Sequence, residues 1–351
     1  MGYFRENDYT NETPPSRTRK RSQKSSKRSN YFISSEREYN DFDKTLPVLE
    51  ILARPKIFIT WMVVAAIILA LDASCAYLRV NSCSLISDKH ITVNGSTAFA
   101  PLVQDVANEY RQQCLGANVS VNGGNLPQGS LNGIGQVEKG TIDIGTSDVF
   151  ANPYQNPDLQ DYQVAVVVFA IVTNKSVDVD NLSTDQIRRI YSGDITNWQN
   201  VGGKKAQDIV LISRPNTSGT RATFEKYILG QIETISGPQS LVNDTSDTVA
   251  QSVKKQSGAI GYVSLYYAKK YDLKILSIDG QKPAESASVE NDTYKFWNIE
   301  HMYTKGVPGS PVKDFVEHMF SRTAKQIIRH DGYLDPGDFS QNVLIHHLSQ
   351  A

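Results

Sequence analysis

The most informative stretch of this sequence is RPNTSGTRATF, at residues 214–224. It follows the apolar run DIVLIS, which is typical of a buried strand, and it leads into a predicted helix. Ser218, Gly219 and Thr220 lie where that helix would begin, and the first amides of a helix have no partners within it. Arg214 adds a planar group that can bind two oxygens of an oxyanion at once. The segment therefore predicts an anion site at the end of a strand.

The same succession of strand, hydroxyl and helix occurs twice earlier in the chain. NGSTAF places Ser96 and Thr97 after the strand HITVNG and before a helix whose first turn would hold Pro101. PQGSLNG places Ser130 before another short helix. Serine and threonine at a helix start are usually only caps. Because three such starts occur in one domain, and one of them has an arginine, a shared anion site is as well supported by the pattern as simple capping.

A carboxylate, Asp148, ends the predicted strand TIDIGTSD within this set of donors. Aspartate can accept a hydrogen bond from an oxyanion that carries a proton, such as hydrogen phosphate. Sulfate has no proton at neutral pH, so an ionised Asp148 would oppose its binding in a dry site. The alternative is that Asp148 only caps the turn that follows.

The remainder of the chain after about residue 86 alternates strand and helix patterns, which is typical of an α/β domain. VAVVVFAIVTNK, at residues 164–175, has the continuous apolar character of a strand buried on both faces. APLVQDVANEYRQQ has helical spacing, with Leu102, Val103, Val106 and Tyr110 on one face. TDQIRRIYSG predicts a helix with Thr184 as its N-cap.

The chain begins with a basic segment. The first 56 residues contain 12 Lys and Arg against 8 Asp and Glu, with few aliphatic side chains. This composition predicts a disordered cytoplasmic tail over residues 1–53. Such a tail could bind anionic lipid or nucleic acid, but the apolar segment that follows favours a solvated tail that sets membrane orientation. We therefore expect no nucleic-acid partner.

The apolar segment IFITWMVVAAIILALDASCAYL, at residues 57–78, predicts a transmembrane anchor within residues 54–79. Its uncharged part ends at residue 71, so Asp72 must lie within the span or at its outer interface. Arg54 and Lys56 precede it, which predicts a cytoplasmic N-terminus and an extracellular binding domain. A cleaved signal peptide is disfavoured by the long preceding tail. A lipoprotein site at Cys75 is disfavoured by Asp72, which stands where an aliphatic residue is expected.

The sequence contains three cysteines, Cys75, Cys83 and Cys114, and no CxxC, HExxH or phosphate-loop motif. An odd count argues against a full disulfide framework, although Cys83 and Cys114 could pair outside the membrane. The missing motifs argue against a zinc site and ATP hydrolysis. We expect no cofactor, and a phosphatase is disfavoured because no activated nucleophile is evident.

From about residue 88 to 338 the chain resembles the phosphate-binding proteins of ABC-type phosphate importers. The matching segments are NGSTAFAPL (94–102), GSLNGIGQVEKGTIDIGTSD (129–148), SGDITNWQNVGG (192–203), RPNTSGTRATF (214–224) and GAIGYVSLYYA (258–268). The resemblance implies a two-lobed periplasmic-binding type II fold. Residues 87–163 and 272–340 would form lobe 1, residues 164–271 would form lobe 2, and phosphate would lie in the cleft.

The resemblance also implies the role of each site residue. The expected set is Ser96, Thr97 and Ser130 as hydroxyl donors, Ala98 as an amide donor, Asp148 as acceptor of the phosphate proton, and Arg214, Ser218, Gly219 and Thr220 from the other lobe. One departure from the family pattern is Asn216, where relatives usually have an acidic residue. The implied function is extracellular capture of phosphate for an ABC permease. A membrane-tethered phosphate sensor or scaffold is the alternative.

Overall fold

The computed structural model describes residues 55–80, 90–114, 116–234 and 240–349, so the predicted disordered tail lies outside the described residues. Helix α1, Pro55–Val80, covers the predicted apolar segment. Its described side chains, from residue 59 to 72, are all exposed. The structure does not confirm the anchor predicted for residues 57–78, because no helix in the described ranges is both long and apolar enough to span a membrane. The chain divides into two compact units within α1, between Ile68 and Leu69.

The second unit has the mixed α/β organisation that the sequence predicts. Its described strands, in chain order, are β1 His90–Gly95, β2 Asn118–Val121, β3 Ile144–Ser147, β4 Leu159–Thr173, β5 Asn181–Leu182, β6 Val210–Ser213, β7 Ser240–Val242, β8 Ala259–Ser264, β9 Lys274–Ile275, β10 Ser277–Ile278 and β11 Trp297–Lys305. Nine of these strands form one sheet, in the order β2-β1-β3-β11-β4-β8-β6-β7, with β9 also paired to β4. The other two, β5 and β10, pair with each other.

Two halves of this sheet correspond to two lobes. In lobe 1, β1 lies parallel to both β2 and β3. In lobe 2, β6 lies parallel to both β7 and β8. Strand β4 joins the halves, because residues 159–168 pair antiparallel with β11 and residues 169–173 pair antiparallel with β8. The strand therefore runs through the predicted lobe boundary at residues 163 and 164, and the lobe boundaries themselves stay a prediction.

Burial explains why β4 can serve both lobes. Its residues from Val164 to Thr173 are all buried, which confirms the prediction of a strand covered on both faces. β-branched valine and isoleucine suit this setting, since their stiff side chains pack well on a pleated surface. Phe169 lies at the changeover between the two partners of β4 and is fully buried against the ring of Phe296.

The described helices of the second unit are α2 Ala100–Gln113, α3 Ser130–Glu138, α4 Thr184–Tyr191, α5 Gly219–Phe224, α6 Ser246–Lys255, α7 Leu265–Lys270, α8 Ser286–Glu290, α9 Val312–His318, α10 Arg322–His330 and α11 Gln341–Ser349. Helix α2 has Pro101 in its first turn and buries the predicted apolar face. The predicted N-cap of α4 is wrong by one residue. Ser183 is the cap, because its hydroxyl accepts from the amide of Gln186, whereas Thr184 is the first helical residue.

Close backbone packing brings the start of α3 to the end of the lobe 1 strands. A Cβ on Gly133 would lie 2.7 Å from the Cα of Gly95 and 2.7 Å from the carbonyl oxygen of Thr146, too near for any side chain. Gly95 itself has φ of +141°, in the region that favours glycine. These two glycines let Ser130, one turn before Gly133, lie beside the residue that follows β3.

Candidate functional site

The residues predicted to bind an anion are all buried and lie where strands end and helices begin. Ser96, Thr97 and Ala98 follow β1, Asp148 follows β3, and Ser130 begins α3. Arg214 follows β6, and Ser218, Gly219 and Thr220 form the start of α5. Hydrogen bonds between the lobes join Asp148 to Thr220 and Arg214 to Thr97.

Asp148 connects the two lobes. One carboxylate oxygen accepts a hydrogen bond from the Ser130 hydroxyl at 3.1 Å, within lobe 1. The other accepts from the Thr220 hydroxyl at 2.8 Å, which comes from lobe 2. Its own amide donates to the Ser130 oxygen at 3.0 Å. The carboxylate therefore faces the site, rather than serving only as a cap for the next turn.

Arg214 is a buried cation without an ion pair. Its side chain is 1% exposed, and none of the described carboxylates lies within ion-pairing distance of it. Burial lowers the pKa of the guanidinium, with nearby Asp148 acting in the opposite direction, but an arginine remains protonated in a folded protein. Its Nε has no hydrogen-bond partner among the described residues. A desolvated cation with an unused donor favours an anionic ligand.

Two groups that the sequence analysis missed hold the terminal nitrogens of Arg214. Nη1 donates to the hydroxyl of Ser246 at 3.1 Å, and Nη2 donates to the carbonyl oxygen of Asp244 at 3.0 Å. Ser246 is the first residue of α6, and its amide donates to the Thr97 hydroxyl at 3.0 Å. Nη2 of Arg214 also donates to Thr97, at 3.1 Å. The segment NDTSDT, with its hydroxyls ahead of a helix, carried the signal that could have identified Ser246.

Some of the predicted hydroxyls also cap local turns, as the capping alternative requires. The Ser96 oxygen accepts from the amide of Phe99 at 3.0 Å. The Ser218 oxygen accepts from the amide of Arg221 at 3.3 Å and is the N-cap of α5. A hydroxyl oxygen that accepts a backbone bond still has its proton to donate, so capping and ligand binding are compatible at these positions.

A second buried arginine, Arg221, holds the loop that carries Arg214. Its Nη1 donates to the Arg214 carbonyl oxygen at 2.8 Å, and its Nε forms an ion pair with Glu225 at 2.8 Å. Because its charge is matched by Glu225 and by Glu233, Arg221 supports the site without offering an unpaired cation to it. Asn216, the departure from the family pattern, is exposed on the same loop.

A second carboxyl group, Glu300 on β11, lies beside Asp148 and was also missed by the sequence analysis. It is fully buried, and burial raises the pKa of this carboxyl well above its ordinary value, with the charge of Asp148 raising it further. It escaped detection because nothing in FWNIEHM distinguishes it from any other polar residue in a strand. In the described ranges, no group of three or more His, Cys, Asp or Glu side chains is arranged to hold a metal ion.

Comparison with known proteins agrees with this geometry. A family model described as "PBP superfamily domain" matches residues 84–323. The phosphate-binding protein PstS of Bacillus subtilis is 38% identical over 252 residues, which cover 71% of this chain and 81% of that protein. The chain belongs to the phosphate-binding protein family of the PBP superfamily. Proteins of this family are substrate-binding receptors and not enzymes, as the sequence predicts.

Solved structures of this phosphate-binding protein family are also similar to this chain. One is from Clostridium perfringens, named as a phosphate ABC transporter substrate-binding protein with bound phosphate. It is 25% identical with a TM-score of 0.64, and the match covers 70% of this chain and 99% of that one. Another is an ABC-type phosphate transport receptor from Vibrio cholerae, 29% identical with a TM-score of 0.56, with coverage of 70% and 100%. The two-lobed fold predicted from the resemblance is thereby confirmed.

Proposed function

We propose that this protein binds inorganic phosphate between its two lobes and delivers it to an ABC importer. The ligands would be the groups predicted from the sequence: Ser96, Thr97, Ala98, Ser130, Asp148, Arg214, Ser218, Gly219 and Thr220. The names of the relatives, which are phosphate-binding and phosphate-transport proteins, support the choice of ligand and of partner.

The observation that carries this proposal is that two buried groups, the unpaired cation of Arg214 and the carboxylate acceptor of Asp148, lie near one another. Arg214 offers a positive charge that no described carboxylate neutralises by direct contact. Asp148 offers an acceptor 1% exposed to solvent. A cation and an acceptor together fit an anion that carries a proton. Hydrogen bonds to charged groups are worth about 1.5–3 kcal/mol each, so a few of them suffice for tight binding.

Phosphate would take over bonds that now join the lobes directly. Arg214 of lobe 2 donates to Thr97 of lobe 1, and Thr220 of lobe 2 donates to Asp148 of lobe 1. An oxyanion between these groups could accept from Arg214, Thr97 and Thr220 while it donates its proton to Asp148. Binding groups from both sides would make the ligand a bridge that favours lobe closure.

Isothermal titration calorimetry of the full-length protein, purified in mild detergent, tests this proposal. We expect saturable binding of phosphate at micromolar protein concentration and at least about a hundredfold weaker binding of sulfate, since an uncompensated carboxylate in the site costs several kcal/mol. The absence of phosphate binding, or equal affinity for sulfate, would refute it.

We propose further that the binding domain is extracellular and that residues 57–78 anchor it in the membrane in a single pass, with the N-terminus in the cytoplasm. Cys114 is disulfide-bonded, which is typical of an oxidising compartment. The exposed apolar side chains of α1 between Ile59 and Leu71 would be covered by lipid. Extraction of cell membranes with alkaline carbonate tests the anchor: the protein should stay in the membrane pellet, and its release into the supernatant would refute anchoring.

A further inference from the structure

Glu300 has an unusual environment beside Asp148. It is 0% exposed, and neither of its carboxyl oxygens accepts a hydrogen bond from a donor among the described residues. Strand β11 runs antiparallel to β3 with His301 opposite Ser147, so the next position of the ladder places Glu300 next to Asp148. On the other side the pairing of β11 with β4 shifts register between Glu300 and His301. A bulge of this kind redirects a side chain and is common next to binding sites.

The titratable and polar groups that face Glu300 come from three segments. They are Asp148 after β3, Ser96 after β1, and Tyr333 in the segment that follows α10. The Tyr333 hydroxyl donates to the carbonyl oxygen of Ala98, so its proton is not available to Glu300. The neighbouring His301 contacts Asp161 instead, with 2.7 Å between Nδ1 and the carboxylate oxygen. The groups that could share a proton with the Glu300 carboxyl are therefore the Asp148 carboxyl and the Ser96 hydroxyl.

Two carboxylates in contact within a dry site cannot both be ionised, so one of them must hold a proton. Each carboxylate oxygen of Asp148 accepts a hydrogen bond, one from Ser130 and one from Thr220, so Asp148 acts as an acceptor in the site. Neither carboxyl oxygen of Glu300 has a donor in good hydrogen-bond geometry among the described residues. The nearby Ser96 hydroxyl favours the ionised form of Glu300, but full burial acts more strongly and favours the neutral form. The proton therefore lies on Glu300, which then donates a hydrogen bond to the Asp148 carboxylate.

We propose that Glu300 is a further specificity-determining residue of the anion site, a neutral carboxylic acid that directs its proton at Asp148 and holds that carboxylate in place as an acceptor. This inference rests on the proposed function for its role toward phosphate. A neutral Glu300 adds no charge, so Arg214 and Asp148 balance each other and the site does not repel an anion. An ionised Glu300 would instead give the cleft a net negative charge.

Thermal unfolding of the ligand-free, full-length protein tests the protonation of Glu300 without reference to phosphate. Because its pKa is raised in the folded state, Glu300 stabilises the fold fully below its ordinary value of 4.5, and this contribution is lost as pH rises through the raised value. Glu300→Gln keeps the shape of the side chain and removes this dependence. We expect the variant to melt at least about 3 °C above wild type at pH 8, with the difference vanishing near pH 4.5.

Glu317→Gln is the matched control, since its carboxylate lies on the exposed face of α9 and should leave the pH dependence of melting unchanged. Asp148→Asn leaves Glu300 in place but removes the neighbouring charge, so it should reduce the alkaline fall in melting temperature. Asp148→Asn therefore tests the protonation of Glu300 even if Glu300→Gln does not fold. Equal melting differences at all pH values, or an unchanged alkaline fall in Asp148→Asn, would overturn the proposal.

Phosphate titration of the same proteins tests the role in binding. We expect Glu300→Leu to weaken phosphate affinity by at least about tenfold at pH 7, and Glu300→Gln to restore at least about fivefold of this, because an amide can also donate to Asp148. Equal loss in both variants would overturn the donor role. If wild type binds no phosphate, the proposed function fails, while the melting experiment still decides where the proton lies.

Discussion

Gly219 offers a sharp test of lobe closure, because the three atoms nearest to a side chain there would all belong to the other lobe. It begins α5 in lobe 2. A Cβ at this position would lie 2.3 Å from the Ser130 hydroxyl oxygen, 2.8 Å from the Ser130 Cβ and 3.0 Å from the Asp148 Cβ. All three atoms belong to lobe 1. Gly219→Ala should therefore oppose the closed arrangement and leave the open one unaffected.

The size of the effect follows from these distances. Non-bonded heavy atoms prefer separations of about 3.5–4.0 Å, so the added methyl group would overlap its neighbours by roughly 1 Å. Overpacking of this degree costs about 1–3 kcal/mol, which corresponds to a loss of about 5- to 150-fold in phosphate affinity. The Ser130 side chain can turn away, but it would then lose its hydrogen bond to Asp148.

The same substitution should not weaken the fold. The φ angle of Gly219 lies outside the left-handed region, so alanine can adopt its backbone conformation. Replacing glycine by alanine in a helix stabilises it by about 0.5–1 kcal/mol. We therefore expect an unchanged or slightly raised melting temperature for the ligand-free protein, together with weaker phosphate binding by calorimetry.

Gly135→Ala provides the control for this experiment. Gly135 lies within α3, and no atom is within 4 Å of a Cβ added there. The control should gain stability and keep wild-type affinity. Wild-type phosphate affinity in Gly219→Ala would show that the lobes do not close through this contact, and the reasoning would be refuted.

Three further predictions concern single residues. Asp148→Asn should reduce the ratio of sulfate to phosphate dissociation constants by at least about tenfold, since the carboxylate that opposes sulfate is gone; competition by sulfate that equals wild type would contradict this. Ser246→Ala should weaken phosphate binding by about 2- to 12-fold in a titration, because Arg214 and Thr97 each lose a hydrogen bond to the Ser246 hydroxyl; unchanged affinity would exclude Ser246 from the site. Phe169→Ala should lower the free energy of unfolding by about 3–5 kcal/mol in urea denaturation, because it empties a fully buried site; a loss under about 1 kcal/mol would show that β4 repacks.

Local sequence patterns predicted the parts of the site that depend on one strand and the helix after it. Ser130, Asp148, Arg214 and Thr220 each follow a strand or begin a helix, and the structure brings them together. The one-residue error at Thr184 is of the kind expected when two hydroxyl residues stand side by side before a helix.

The missed groups depend on which strands become neighbours, which no local pattern records. Glu300 faces Asp148 only because β11 inserts between β3 and β4. Ser246 reaches Thr97 only because α6 of one lobe begins opposite the end of β1 in the other. Arg221 lies in the segment 214–224, but its carboxylate partner Glu233 lies beyond the helix that contains it.

The insertion of β11 has a consequence for biosynthesis. Strands β3 and β4 are made early, yet each has β11 as a neighbour, and β11 ends only at Lys305. Until the ribosome has made that segment, both strands have unpaired backbone edges of the kind that promote aggregation. An exported chain would thus have to cross the secretion channel almost entirely before its first-made portion could complete folding. We expect holding chaperones outside the cell to matter more for this topology than for one whose strands pair in the order of synthesis.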